Sequence, residues 1–296
     1  MRLISNIQLL KYWTDDGLLM HGLLSKSKDE NKTVIITVFG MTSSFFSSSW
    51  INLLMESAKR SGADVLSANN RGAGLIFPFK RRKSREFIGT AREPFKACVY
   101  DISAAVRAAR ALKYKNIIIA GHSTGCQKAI YYLNKAGSKS VKGVILLAPV
   151  DDYNATKREL GSRFSEAIKI ANAMDKHGKG DRLTPSWISQ YTAKRFLSYA
   201  VKNNPEARIF NYDSKMNEFG AVRIPVLAIF GSKDKHIVKS AKMMLSTLEK
   251  KSGSRYFKKK LIRGADHNFN GKQRTVAKTV IAWAERVAGE KSNVLQ

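Results

Sequence analysis

Residues 116–127 read NIIIAGHSTGCQ, an apolar β-rich run followed by a GxSxG pentapeptide and the start of an amphipathic pattern. The run 116–120 predicts a strand, and residues 127–135 predict a helix. A sharp turn between a strand and a helix holds the central serine, Ser123, in a strained backbone conformation with its hydroxyl clear of the sheet. The glycines on either side let neighbouring elements approach without Cβ clashes. This stretch therefore predicts a serine nucleophile at the carboxyl edge of a buried sheet.

Two later loops are predicted to supply the base and the acid that such a serine needs. A serine hydroxyl is a weak nucleophile at neutral pH, so a base must take its proton and a carboxylate must orient that base. Asp234 follows the β-rich run 226–230, and His267 follows the run 256–262. Both residues are therefore expected at the sheet edge that carries Ser123. We predict Ser123 as nucleophile, His267 as base and Asp234 as acid, in the chain order Ser, Asp, His.

The rest of the chain alternates short β-rich runs with helical patterns. Residues 3–12 and 18–24 are joined by Asp15-Asp16-Gly17, where Asp-Gly is a strong turn signal, and they predict a hairpin. Six further runs predict strands at 34–39, 64–67, 116–120, 144–147, 226–230 and 256–262. Helical periodicity is found at 50–60, 93–112, 127–135, 240–250 and 273–287. This order predicts an α/β fold with a mostly parallel, eight-stranded sheet and helices on both faces.

The alternation stops after the run 144–147. Residues 151–220 show helical periodicity and no strand. We predict a core made of residues 1–150 and 221–296, into which residues 151–220 are inserted as a helical cap, or lid.

Three aromatic residues of this insertion, Trp187, Tyr191 and Phe196, recur at about helical spacing. Core packing is the default interpretation of such a stripe. A cap that covers a serine also needs an apolar wall for an acyl or aromatic group. The three aromatics are therefore candidate substrate-binding residues.

Three motifs carry a resemblance to a known superfamily: GHSTG at 121–125, FGSKD at 230–234 and GADHNF at 264–269. Over nearly its whole length the chain resembles the α/β-hydrolase fold serine hydrolases. More narrowly, GHSTGCQ and the fragments GKGDRLTP and TAKRFLS are similar to the family called domain of unknown function 1749, which includes fungal siderophore esterases. The resemblance implies the α/β-hydrolase fold and the same roles for Ser123, His267 and Asp234.

The identity of the acid nevertheless has alternatives. Asp151 and Asp152 follow the run 144–147, where some hydrolases place the acid, so both remain open. Asp266 is adjacent to His267, and a carboxylate directly beside a histidine in sequence rarely turns back to its ring.

The oxyanion hole is predicted from backbone N–H groups. The donors expected for this fold are the residue after the nucleophile, Thr124, and one residue of the loop that follows the third strand, for which Met41 is the candidate. Gly40 precedes Met41 and is a candidate substrate contact. The superfamily often has His-Gly where this chain has Phe39-Gly40, but backbone donors do not depend on that side chain.

The charge balance is strongly basic, with 52 Lys and Arg against 23 Asp and Glu, a net charge of +29. Residues 1–150 hold 23 basic and 9 acidic side chains, residues 151–220 hold 12 and 9, and residues 221–296 hold 17 and 5. A dense run, KRRKSR at 80–85, follows the fourth strand. It is interpreted as a solvated loop or, alternatively, as an electropositive rim that attracts anionic substrates.

Several classes of protein and site are excluded. With 44% hydrophobic residues the chain can bury a core, and its two cysteines exclude a disulfide scaffold and a four-cysteine zinc site. His122 is expected to pack, Cys126 to be a small buried hydrophobe, and His177 and His236 to have no ligand-spaced partner, so no metal is predicted. The apolar runs are shorter than the ~20 residues of a membrane span. No signal-peptide pattern precedes them, and we expect a cytoplasmic protein.

The predicted function is hydrolysis of carboxylic esters through an acyl-enzyme, without a cofactor, on a small-molecule ester that is anionic or aromatic. Lactone hydrolysis by the same triad is an alternative, because it uses the same attack on a carbonyl. The alternative from another class is a non-catalytic protein that binds nucleic acid or an anionic surface, which the net charge suggests. No known nucleic-acid-binding module is found in the sequence.

Overall fold

The computed structural model describes residues 7–27, 32–46, 49–58 and 61–289. Its strands are β1 (Ile7–Trp13), β2 (Leu19–Ser25), β3 (Thr33–Val38), β4 (Asp64–Ala68), β5 (Pro78–Lys80), β6 (Arg85–Phe87), β7 (Asn116–His122), β8 (Gly143–Leu147), β9 (Val226–Gly231) and β10 (Phe257–Ile262). Its helices are α1 (Ser49–Ala58), α2 (Cys98–Ala111), α3 (Gly125–Ala136), α4 (Asp152–Leu160), α5 (Phe164–Lys176), α6 (Ala193–Ala200), α7 (Pro205–Ile209), α8 (Asn217–Gly220), α9 (Ala241–Lys251) and α10 (Gln273–Gly289).

Eight strands form one sheet in the order β1-β2-β4-β3-β7-β8-β9-β10. The pairs β1–β2 and β2–β4 are antiparallel, and the other five pairs are parallel. Every residue of β3, β4, β8 and β9 is buried, as expected of strands covered on both faces. The predicted α/β fold with a mostly parallel, eight-stranded sheet is confirmed. Its parallel strands end at one edge, where their connecting loops meet.

The helices agree with the periodicity except at one start. Residues 93–112 predict a helix, but α2 begins at Cys98, after a 3₁₀ turn at Phe95–Ala97. Pro94 explains the difference, because the residue before a proline is held out of the helical region. Residues 3–6 of the first predicted strand and 59–60 of the first predicted helix lie outside the described residues.

The run 80–85 belongs to a hairpin that the sequence patterns do not predict. Strands β5 and β6 pair with each other and form a separate two-stranded sheet. Phe79 of β5 is buried in a small apolar cluster with Leu18, Met20 and Ile88. The hairpin is thereby anchored against the turn between β1 and β2.

Residues 151–220 lie between β8 and β9 and carry five helices, α4 to α8. Residues of α5 and α6 build an apolar cluster of their own, which includes Ala167, Ala171 and Phe196. None of the helices in the described ranges combines the length and the apolar composition that crossing a membrane requires. The action of the insertion as a lid stays a prediction.

A buried group of charges joins this insertion to the core. Lys128 of α3 contacts Glu93 with Nζ 2.8 Å from Oε2, and Arg195 of α6 reaches the same carboxylate at 3.4 Å. Arg195 also forms an ion pair with Glu206 of α7. All four side chains are at most 1% exposed. Two cations and two carboxylates therefore balance each other between the helix that follows Ser123 and the insertion.

Candidate active site

Ser123 lies in a tight turn between β7 and α3. Its φ of 55° is in the left-handed region, which a residue with a side chain adopts only at an energetic cost. The turn is held because the Ser123 N–H donates to the Leu147 carbonyl at 2.9 Å. A Cβ at Gly125 would overlap the Val38 carbonyl, so glycine is required where α3 crosses β3. The strained turn predicted from GHSTG is therefore present, with Ser123 partly exposed.

His267 and Asp234 meet on adjacent loops. The Nδ1–H of His267 donates to Oδ2 of Asp234 at 2.8 Å, and Oδ1 of the same carboxylate accepts the His236 N–H, also at 2.8 Å. The Asp234 side chain has no exposed surface, whereas that of His267 is 13% exposed. A carboxylate on Nδ1 fixes the tautomer and leaves Nε2 as the proton acceptor.

The other three carboxylates have different partners. Asp151 caps α4 by accepting the Asn154 N–H at 2.9 Å. Asp152 accepts from Nε2 of Gln127 at 2.6 Å. Asp266 accepts the N–H of Asn270 at 2.9 Å. Among the candidates weighed from the sequence, Asp234 is the one that the structure pairs with His267.

His122 connects the loop of His267 to the turn of Ser123. Its Nε2 donates to the His267 carbonyl at 2.9 Å, and the two rings lie 5.1 Å apart. The ring is 2% exposed and lies 5.7 Å from that of Trp50. Burial, with a smaller contribution from His267, lowers the pKa of His122 to about 3. His122 packs as expected and, in addition, positions the backbone of His267.

The loop of residues 40–42, which we call the oxyanion loop after its predicted role, lies directly against Ser123. A Cβ added at Gly40 would be 2.9 Å from the Ser123 Cβ and 3.2 Å from the Thr124 nitrogen. This close approach brings the Gly40–Met41 segment to the amino terminus of α3, where the helix dipole favours negative charge. The Thr42 N–H donates to Oγ1 of Thr90 at 2.6 Å and fixes the loop from the other side.

The aromatic residues of the insertion divide into two groups. Trp187 and Tyr191 are partly buried and pack, together with Met41, on the apolar cluster of α5 and α6. Phe196 is fully buried, and its ring lies edge to face with that of Tyr199 at 5.6 Å. The observed contacts of Phe196 are therefore those of a core residue. Trp187 and Tyr191 pack on the same cluster as Met41.

Two contacts of the site are missed by the sequence analysis. The ring of His236 lies 4.5 Å from that of His267, although no ligand-spaced partner was found for it. His236 stands two residues after Asp234, and this spacing is the signal that places it on the same loop. Arg158 of α4 donates to the carbonyls of Lys235 and Ile237 and ties this loop to the insertion. No sequence pattern indicates that second contact, because it joins residues about 80 positions apart.

The described residues contain no group of three side chains suited to a metal ion. Cys98 and Cys126 are buried, and burial raises the pKa of both thiols. A thiol held in its neutral form is a poor nucleophile. Neither thiol is therefore a candidate nucleophile, and Ser123 stays the predicted one.

Solved structures with the same fold include several esterases. Est1E from Butyrivibrio proteoclasticus with bound ferulic acid has a TM-score of 0.68 and 18% identity, covering 94% of this chain and 99% of its own. The siderophore hydrolase EstB from Aspergillus fumigatus has a TM-score of 0.71 and 15% identity, covering 97% and 100%. A soluble variant of the monoglyceride lipase from Saccharomyces cerevisiae has a TM-score of 0.68 and 13% identity, covering 97% and 98%. These likenesses show the α/β-hydrolase fold.

No curated protein matches the chain. A family model described as "Protein of unknown function (DUF1749)" matches residues 87–288, which is more than half of the 296 residues. The matched range includes the strained turn of Ser123 and the loops that carry Asp234 and His267. The chain therefore belongs to this DUF1749 family and has the α/β-hydrolase fold.

Proposed function

We propose that this protein is a serine esterase that cleaves carboxylic esters through an acyl-enzyme. The observation that carries the proposal is the 2.8 Å bond between His267 Nδ1 and Asp234 Oδ2 on loops that His122 ties to the turn of Ser123. A hydroxyl on a strained turn, an imidazole of fixed tautomer and a buried carboxylate are the parts that acyl transfer requires. The esterases and the lipase among the structural neighbours support the same class of reaction.

In the acylation step, Oγ of Ser123 attacks the ester carbonyl while Nε2 of His267 takes the hydroxyl proton. The carbonyl oxygen becomes an oxyanion, which the N–H groups of Met41 and Thr124 stabilise. Asp234 stabilises the imidazolium that forms. When the tetrahedral intermediate collapses, His267 passes its proton to the alkoxide, and the alcohol leaves.

In the deacylation step, a water molecule takes the place of the alcohol. His267 removes a proton from this water as it attacks the acyl carbonyl, and the same oxyanion donors stabilise the second intermediate. Collapse returns the proton to Oγ of Ser123 and releases the carboxylic acid. No cofactor is needed for either step.

Met41, Trp187 and Tyr191 pack on one apolar cluster of the insertion, and they support a substrate with an aromatic or bulky apolar acyl group. Arg163 stacks on Trp187 with its guanidinium carbon 3.7 Å from the ring centroid, so a cation lies directly on this aromatic ring. An aromatic acid that carries a polar or anionic group fits this combination. We therefore propose feruloyl-type or siderophore-type esters as the substrate class.

The test compares wild type with Ser123→Ala on p-nitrophenyl, feruloyl, lactone and hydroxamate-siderophore esters. Ser165→Ala is the matched control, because Ser165 is an exposed serine of α5. We expect Ser123→Ala to lose turnover on every ester and Ser165→Ala to keep it. A fluorophosphonate probe should label Ser123 and leave Ser123→Ala unlabelled. Turnover by Ser123→Ala equal to that of wild type would overturn the assignment, and a preference for lactones would move the substrate class.

A further inference from the structure

The hairpin of β5 and β6 has two chemically different faces. Its register places Phe79 opposite Glu86 and Lys80 opposite Arg85. Phe79 is 3% exposed and packs into the apolar cluster that anchors the hairpin, so the next residue along the strand points the other way. Lys80, Arg85 and Phe87 therefore share the outer face.

This outer face combines exposed apolar and cationic side chains. Phe87 is 57% exposed and Ile76, in the segment that leads into β5, is 48% exposed. We call the hairpin face the set made of these two residues and four exposed cations, namely Ile76, Phe87, Lys80, Arg82, Lys83 and Arg85.

The acidic residue of the hairpin does not neutralise this face. Glu86 lies on the inner side and forms an ion pair with Arg81. The four cations of the hairpin face are therefore not balanced by the carboxylate of their own hairpin.

The base of the hairpin adjoins the candidate active site. Thr90, three residues after Phe87, accepts the N–H of Thr42 in the oxyanion loop. The next residue, Ala91, accepts the N–H of Thr192 from the insertion at 2.9 Å. The base of the hairpin therefore borders both the oxyanion loop and the insertion.

We propose that the hairpin face docks on the surface of an anionic lipid bilayer. Basic side chains are attracted to anionic headgroups, and neighbouring apolar side chains enter the boundary between headgroups and acyl chains. The hairpin face carries one aromatic ring, Phe87, beside the aliphatic Ile76, whereas a nucleic-acid surface stacks successive bases on several aromatic rings. A second copy of the chain is disfavoured because like charges would meet. This proposal does not depend on the proposed esterase activity, because its readout is binding.

The test is co-sedimentation of the full chain with phosphatidylcholine vesicles that contain or lack phosphatidylglycerol. We expect binding to the anionic vesicles and little to the neutral ones. Lys80→Gln/Arg85→Gln should weaken binding about 30-fold, since each cation near the surface contributes roughly fivefold. Lys258→Gln/Lys260→Gln is the matched control. It removes the same charge from β10, the edge strand of the large sheet opposite to β1, and should change binding little.

A second pair of variants tests the apolar part. Phe87→Ser and Met243→Ser each remove an apolar side chain that is 57% exposed, the first from the hairpin face and the second from α9. We expect Phe87→Ser to weaken vesicle binding on the order of tenfold and Met243→Ser to leave it unchanged. Hydrolysis of p-nitrophenyl acetate, or the circular dichroism spectrum if that ester is not cleaved, reports that each variant is folded.

Three results would overturn the proposal. The first is equal binding to neutral and anionic vesicles, which would remove the role of charge. The second is an equal loss in the β10 control, which would assign binding to the net charge of +29 alone. The third is binding to a short DNA duplex, but not to anionic vesicles, that the hairpin variants abolish, which would make the face a nucleic-acid surface.

Discussion

Acid should destabilise this protein through one buried histidine. His122 is 2% exposed, its Nε2–H donates to the His267 carbonyl, and its Nδ1 has no hydrogen-bond partner. Protonation would leave the Nδ1–H without an acceptor and place a charge on a ring packed near those of Trp50 and Phe269. The folded protein therefore excludes the proton, whereas the unfolded chain accepts it.

The size of the effect follows from the two pKa values. The pKa of His122 is about 3 in the folded protein and 6.5 as its ordinary value, which we take for the unfolded chain. Because the folded pKa is the lower one, the unfolded state binds more protons below pH 6.5 and stability falls as the pH falls towards 3. At a pH about two units below 6.5 the loss is about 3 kcal/mol, at 1.36 kcal/mol per unit. That is a large part of the 5–15 kcal/mol typical of a folded protein.

The matched variant is His122→Gln, whose side-chain amide can still donate to the His267 carbonyl but does not titrate. Urea unfolding of both proteins at pH 7.5 and pH 4.5 gives the change in free energy of unfolding for each. Wild type should lose about 3 kcal/mol more than His122→Gln between these pH values. The carboxylates that titrate in this range contribute equally to both and cancel. Parallel losses in the two proteins would refute the reasoning, because they would show that His122 is protonated without cost in the folded state.

Three further perturbations test the site and the buried charges. Asp234→Asn should lower kcat about 10⁴-fold with little change in the circular dichroism spectrum, because an amide beside Nδ1 favours the wrong tautomer of His267. Burial raises the pKa of Asp152 well above its ordinary value, so its ionisation costs stability as the pH rises above about 4. Asp152→Asn should therefore raise the melting temperature at pH 8 and leave it unchanged near pH 3.5. Arg195→Met should cost about 3–5 kcal/mol in urea unfolding because Glu206 is left unpaired, and Arg195→Met/Glu206→Leu should recover most of that loss.

The parts of the fold that the sequence predicts are those with local signals. Continuous apolar runs such as 116–120 and 144–147 became buried parallel strands, because a strand covered on both faces has no polar side. The hairpin of β5 and β6 was missed because its strands are three residues long and rich in charge. Its stability comes from Phe79 and the tertiary cluster around it. Such a cluster has no periodicity that a sequence window can detect.

The site shows the same division. The ends of the predicted strands indicate which loops carry Ser123, Asp234 and His267, because parallel strands end at one edge of the sheet. The contact of His236 with His267 and the buried charge group could not be predicted. They depend on side chains from distant segments, such as Glu93 and Arg195, whose pairing carries no pattern along the chain.

The balance of that charge group bears on whether the insertion moves. Lys128 and Arg195 offset Glu93 and Glu206, so a further carboxylate beside them is in excess, and the pKa of Asp152 is raised well above its ordinary value. Moving α6 away from the core would separate Arg195 from Glu93. Breaking a buried ion pair leaves an uncompensated charge, which is strongly unfavourable. The energetic cost of breaking such a buried pair exceeds what an apolar acyl group returns by contact with one or two aromatic rings. We therefore expect the insertion to stay docked on the core during turnover.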